Sequence, residues 1–257
     1  MDYNYTQNKK NKHCKITNQT MGSKIEINNS TLHHLIITSI IKHGRAPTIS
    51  EMALNYNVST LEIRKGLQKL QDYHGVVLHP NTDEIWVCHP FSLAPTNFRI
   101  TSEGKTWYGT CGWCSFGTAK LLGGNVKIKT MLADTGEVVE LYIENNELKD
   151  ANENFCVYFP IKMTEAWNNV TYTCQCMQLF SCAKGIQEWS KRHLPPGREL
   201  EGSIQPIHKC FEFAKEWYAH HDDPNWIKWT AKDAMEMFQR HGLVGEIWKL
   251  PSSQNQF

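Results

Sequence analysis

The chain has 257 residues, 40% hydrophobic and 11% aromatic with nine Trp, which at roughly 150 residues per domain predicts one or two packed domains. Its 27 Lys and Arg against 26 Asp and Glu leave a formal charge of +1, which argues against a surface built to track a nucleic-acid backbone or an anionic membrane. No apolar run approaches the ~18–20 residues that span a bilayer, and the first thirty residues lack the apolar stretch of a secretory signal, so a soluble cytoplasmic protein is expected.

Residues 1–30 are polar and rich in Asn and Lys and read as a disordered tail, with Met21 a second candidate start. From Thr31 the pattern turns helical: Leu32, Leu35, Ile36, Ile40 and Ile41 recur at helical spacing, and Gly44 ends the run. Thr48-Ile49-Ser50-Glu51 is a capping box opening a short helix with Met52, Ala53 and Tyr56. Asn57 turns the chain into a second box, Ser59 to Glu62, and a helix bearing Leu61, Leu67 and Leu70. Two short β-prone runs follow, Gly75 to Leu78 and Glu84 to Val87, joined at His79-Pro80-Asn81. Three helices and a hairpin predict a winged helix-turn-helix-like module over residues 31–88. Its third helix sets Arg64, Lys65 and Lys69 against Glu62 and Asp72, too mixed for a groove reader, so a packing role is expected and DNA binding is not.

Residues 89–106, with Pro90 and Pro95, read as a linker. A helix is predicted from Cys111-Gly112-Trp113-Cys114 to Leu122, before Gly123-Gly124. Val126 to Lys129 alternates with period two, Asp134-Thr135-Gly136 turns, and Val138 to Ile143 returns. Phe155 to Phe159 and Thr171 to Phe180 read as strands, and Ile186 to His193 and Ile207 to His220 as helices. A last helix capped at Thr230 ends at Gly242. The expected architecture is α+β with a small mixed sheet and flanking helices: a core over 107–220 and a C-terminal helical extension over 221–257.

Nine cysteines, at 14, 88, 111, 114, 156, 174, 176, 182 and 210, follow no framework spacing, so reduced thiols are expected. Cys88, Cys156 and Cys210 read as ordinary buried thiols. Cys111 and Cys114 stand at a helix start, where the dipole and unpaired N–H groups lower a thiol below its usual ~8.5. Cys174 and Cys176, two apart on the predicted strand, would share a face. Three chemistries fit this set: thiol–disulfide exchange (though no thioredoxin-like βαβ pattern precedes the C-x-x-C), a structural four-thiolate zinc site, or capture of a soft metal such as Hg(II).

In its ordered spacings the chain resembles the alkylmercury (organomercurial) lyases. Cys111 at a helix start is followed by Gly123 at the helix end, then by a hairpin turn, Ala133-Asp134-Thr135-Gly136. Cys174 is followed by Trp189, then by Leu200-Glu201-Gly202 and a helix reading Ile207-His208-Lys209-Cys210-Phe211 with Glu216-Trp217. The resemblance covers roughly residues 31–217 and includes a winged-helix-like region and the HPFS…PT segment at 89–96. It implies that Cys111 and Cys174 ligate mercury on one concave surface. It also implies an aspartate three residues after the first cysteine, assisting proton delivery to carbon. Here that place is held by Cys114, and the further cysteine of some members falls at Leu132.

The implied reaction is protonolysis of a carbon–mercury bond. Thiolates push electron density onto the metal and make the carbon basic, and an acid then protonates it, releasing hydrocarbon and thiolate-bound Hg(II). A carboxyl near pKa 4 carries a proton only after taking one from an incoming thiol, whereas a thiol arrives protonated. Cys111, Cys114 and Cys174 are therefore the expected catalytic and mercury-binding residues, with Cys176 a further candidate ligand. The substrate would be a small organometallic compound, no resident cofactor would be required, and small thiols would remove the product. The reading from a different class is a non-catalytic thiol protein that binds or senses metal, on DNA through the winged helix, or a structural zinc protein.

Overall fold

The computed structural model describes residues 26–197 and 201–251. Cys14, Met21, Leu200 and residues 1–25 of the expected tail lie outside them. The tail reading ends too late, because a helix, α1 (Asn29–His43), starts inside it: Asn28 accepts from the Thr31 N–H, and the Thr31 hydroxyl satisfies the cap in return. Leu32, Ile36, Ile37 and Ile40 form its buried stripe, and Gly44 closes it at φ 71°. The two predicted capping boxes open α2 (Ile49–Tyr56) and α3 (Thr60–Asp72). On α3 the buried residues are Ile63, Leu67 and Leu70; Leu61 is 59% exposed, one position off the inward face.

The hairpin β1 (Val77–Leu78) and β2 (Ile85–Cys88) follows as expected, but it does not stand apart. β2 pairs with β3 (Phe91–Ser92), which pairs with β5 (Lys105–Gly109), itself joined to β4 (Phe98–Ser102). The segment read as a linker is therefore woven into a sheet. With β6 (Val126–Met131), β7 (Val138–Glu144) and β8 (Glu147–Lys149) that sheet has eight strands in the order β1-β2-β3-β5-β4-β6-β7-β8. A second sheet places β9 (Cys156–Phe159) between β10 (Leu179–Phe180) and β11 (Ser203–Pro206). Every pairing is antiparallel, so the expected small mixed sheet is corrected to a long antiparallel one and a short one.

Between the long sheet and the later helices runs α4 (Gly112–Leu121), buried along nearly its whole length, Ser115 and Thr118 included. It packs on α7 (Ile207–Trp217). The stretch 171–176, read as a strand, is instead α5 (Val170–Cys176), continuing a 3₁₀ turn over Met163–Asn169. Its β-prone residues are overruled by a cap: the Asn169 side chain accepts from the Tyr172 N–H at 3.1 Å. α6 (Ala183–His193) and α8 (Ala231–Arg240), the latter capped by Thr230, complete the chain. The C-terminal segment is built into the cores, Phe238 and Trp248 packing with α4 and α7 and Trp226 with α1 and α3. Among the described residues no helix is long and apolar enough to cross a membrane.

Candidate active site: three thiols under an aromatic wall

Cys111 is the N-cap of α4, in extended backbone, and its Sγ accepts the Cys114 N–H at 3.2 Å. That single contact turns the Cys111 sulfur toward the helix start and sets Cys114 one turn along, on the same face. The Gly112 N–H donates to the Met177 carbonyl at 2.9 Å, tying the start of α4 to the end of α5. This tie brings Cys174 alongside. The sulfurs of Cys111, Cys114 and Cys174 all lie within 4.8 Å of one another, and all three residues are buried. Cys176 is not among them. As part of a helix rather than a strand it points elsewhere, into a cluster with Cys156, Tyr158, Phe180 and Ile186. Among the described residues the four-thiolate zinc set of Cys111, Cys114, Cys174 and Cys176 therefore does not form.

Two side chains that the sequence reading passed over touch the trio. The Tyr218 hydroxyl, just past α7, stands 3.3 Å from the Cys114 sulfur, and His89 Nε2 stands 3.6 Å from that of Cys174. His89, in the supposed linker, is held in place where the Thr110 N–H donates to the neighbouring Pro90 carbonyl. Burial holds the His89 imidazole neutral by pushing it below its ordinary range.

The three thiols ionise as a set. Burial raises Cys111, as do its S–H donation to Cys114 and the charge there. For Cys174 the nearby Cys111 favours ionisation, but Cys114 and burial oppose it and prevail, and the thiol is raised. Burial also opposes ionisation of Cys114. The Cys111 and Cys174 thiols beside it outweigh burial and hold this thiol well below the usual range. Of the three, Cys114 is the thiol pushed toward ionisation, while Cys111 and Cys174 are pushed away from it.

Tyr218 comes so close to α4 because residue 117 is Gly. A Cβ there would sit 2.1 Å from the tyrosine ring. Replacing Gly117 with Ala should cost about 1–3 kcal/mol through overpacking. A melt should then fall by several degrees, at about 2–4 °C per kcal/mol for a chain of this size. The thiol ionising first should also titrate at higher pH as Tyr218 is displaced. An unchanged melting temperature and thiol titration would contradict this packing.

Beside the sulfurs lies a cavity of about 80 Å³, lined by Trp113, Cys114, Trp167, Cys174, Trp217 and Tyr218 among others. Trp113 stacks on Phe213 with ring centroids 5.0 Å apart, which fixes its edge against the space. Further along, the lining turns polar with His33, His74, His221 and Lys228. Lys228 Nζ donates to His74 Nδ1 at 3.1 Å, and the His74 ring stacks on Trp167 at 4.4 Å. These walls come from α1, from the turn after α3, and from the C-terminal segment. Other positions of the family-like pattern serve the fold: Asp134 accepts from the Ser181 N–H, and Trp189 packs between Phe180 and His193.

Three thiols within 4.8 Å of one another, two of which (Cys114 and Cys174) line an apolar cavity, are the donor set of a soft-metal protein. A family model described as MerB: Alkylmercury lyase matches residues 91–219, half of the chain, and the protein belongs to that family. Alkylmercury lyases of Bacillus cereus and of Clostridium butyricum are each 24% identical over 186 residues, covering 70% of this chain and 77% of the relative. A solved structure, "Crystal structure of the mercury-bound form of MerB2", is similar in fold, with a TM-score of 0.61 and 21% identity. The likeness covers 75% of this chain and 90% of that one.

Proposed function

We propose that the protein is an organomercurial lyase that cleaves carbon–mercury bonds at the Cys111–Cys114–Cys174 trio. The observation that carries this reading is the convergence of three buried sulfurs, within 4.8 Å of one another, beside an apolar cavity. Cys111 and Cys174 are the mercury ligands. Cys114 takes the part of the carboxylate expected at its position, because it stands one turn from Cys111 against the Tyr218 hydroxyl and is the thiol of the three pushed toward ionisation.

The proton accounting closes with these three groups. An incoming RHg–X meets Cys111, whose sulfur bonds mercury as X⁻ leaves and whose proton passes to the Cys114 thiolate. Cys174 then adds to mercury, its own proton entering the trio as Cys114 delivers one to carbon. The Hg–C bond breaks, R–H departs, and Hg(II) remains on Cys111 and Cys174 with one thiol still protonated. The Tyr218 hydroxyl steadies the charge on Cys114 before the proton arrives. Small thiols then withdraw Hg(II) by ligand exchange, and no resident cofactor takes part. The described cysteines are all unpaired thiols, as such chemistry requires, which fits a reducing cytoplasm.

The N-terminal helices and hairpin serve as a winged-helix-like packing module, residues 31–88, in front of the core at 107–220 and the C-terminal extension. Arg64 of α3 pairs with Asp83 of the hairpin turn, so one of its few cations is spent within the module, and no DNA partner is assigned.

The test is a headspace assay. With methylmercury and excess 2-mercaptoethanol, the wild type should release methane over many turnovers and bind no stoichiometric zinc as isolated. Folded protein that binds Hg(II) tightly yet releases no hydrocarbon would instead be a metal-binding relative.

A further inference from the structure

Among the described residues Lys228 is the one lysine or arginine lining the cavity, and it is 8% exposed. Burying an ammonium is costly unless other groups replace its water. The replacements here are incomplete. Nζ donates once, to His74 Nδ1, and lies over the rings of Trp167 at 5.5 Å and Tyr73 at 5.9 Å. No carboxylate among the described residues pairs with it. His74 is neutral, since burial and then the Lys228 charge lower its imidazole to about 4. Burial lowers Lys228 itself to about 8, which leaves it largely protonated at neutral pH. The backbone N–H of Lys228 donates to the Tyr73 hydroxyl, which fixes where the side chain starts.

The cavity therefore has two chemically distinct ends, sulfur at one and an under-compensated ammonium at the other, with Trp167 between them. Trp167 faces His89 edge-on at 5.3 Å, beside Cys174, and stacks on His74 beside Lys228.

We propose that the Lys228 end is a subsite for a carboxylate carried on the organic half of the substrate, so that a carboxylate-bearing arylmercury compound is preferred to a neutral one. The inference rests on the lyase reading for its substrate. An aryl ring between the two ends would lie along Trp167 while its mercury meets the thiols. A carboxylate reaching Nζ would supply the anion that the fold withholds, forming a charge-assisted hydrogen bond in a site shielded from water.

The experiment compares 4-mercuribenzoate with phenylmercury on wild type, Lys228→Met and Lys228→Arg, in neutral 2-mercaptoethanol. Wild type should show the higher kcat/KM for 4-mercuribenzoate. Lys228→Met should lose about tenfold or more on that substrate and change little on phenylmercury, and Lys228→Arg should keep part of the preference. Equal effects of Lys228→Met on both substrates would overturn the subsite. So would a loss that appears only when mercaptoacetate replaces 2-mercaptoethanol, because the carboxylate read would then be the thiol's. Affinities for the two mercurials, followed by tryptophan fluorescence, decide the matter independently of turnover. If neither compound is cleaved, the lyase reading fails, while a preference of wild type but not Lys228→Met for the carboxylate compound would still uphold the subsite.

Discussion

Replacing either Cys111 or Cys174 with Ser should leave a folded protein that releases no hydrocarbon from methylmercury. A serine hydroxyl is a poor ligand for a soft metal, and one remaining sulfur of the ligand pair cannot raise the electron density on mercury enough to make its carbon basic. The stability cost should be small, because serine is close in size to cysteine and the site faces a cavity, though a buried hydroxyl needs a partner. Cys114 behaves differently. Cys114→Ser should still bind Hg(II) through the other two thiols, but it should slow protonation of carbon, since serine neither stores the charge nor passes the proton near neutral pH. Cys114→Asp should keep or raise turnover, because a carboxylate can also take a proton from an incoming thiol, and it holds the product less tightly than a third thiolate. Headspace gas analysis together with an Hg(II) binding titration separates these outcomes. If Cys111→Ser retains cleavage, or if wild type and Cys114→Asp are both inactive while folded, the proposed division of labour is wrong.

Acid should loosen the protein well before its carboxylates matter. Burial, with His34 adding to it, lowers His33 to about 3, and burial, followed by the nearby His33, holds His221 well below its ordinary range. Burial and Lys228 lower His74 to about 4. In the unfolded chain each of these rings titrates near 6.5. Below that pH the unfolded state therefore binds more protons, so stability declines as pH falls from about 6.5 toward the folded values and is unaffected above pH 7. At pH 5 each fully buried ring costs up to about 2 kcal/mol, and half-buried His74 less, against a typical total stability of about 5–15 kcal/mol. The melting temperature should accordingly drop steeply between pH 6.5 and pH 5. His33 stacks on Trp226 with centroids 3.8 Å apart, so His33→Phe keeps the stack, removes one titration and should flatten the curve. A wild-type melting temperature that stays level over that interval would contradict the assignment of these rings as neutral and buried.

Local chemistry was legible where a few adjacent residues decide the outcome. The boxes Thr48–Glu51 and Ser59–Glu62 and the cap at Thr230 each announce a helix start, and all three form. Cys111 and Cys114 stand at a helix start for the same kind of reason. Thr171 to Cys176 misled, because β-branched and aromatic residues favour a strand unless something upstream imposes a helix, and the Asn169 cap does so. That error also misplaced Cys176. The continuity of the long sheet through Phe91 to Gly109 depends on pairing between distant strands, which two prolines disguised. The cavity walls were the least legible part. His89, Trp167, Tyr218 and Lys228 belong to no shared spacing, and only the high tryptophan content hinted at an aromatic enclosure.

The cavity is built from both inside and outside the stretch that matches the family model. The thiols and Tyr218 fall inside the stretch 91–219 that matches the family model, whereas His33, His74, Trp226 and Lys228 fall outside it. The sulfurs proposed to break a bond and the groups that meet the rest of the substrate therefore come from different parts of the chain. Changes confined to His74 or Lys228 would correspondingly reshape the far end of the cavity without touching the three sulfurs.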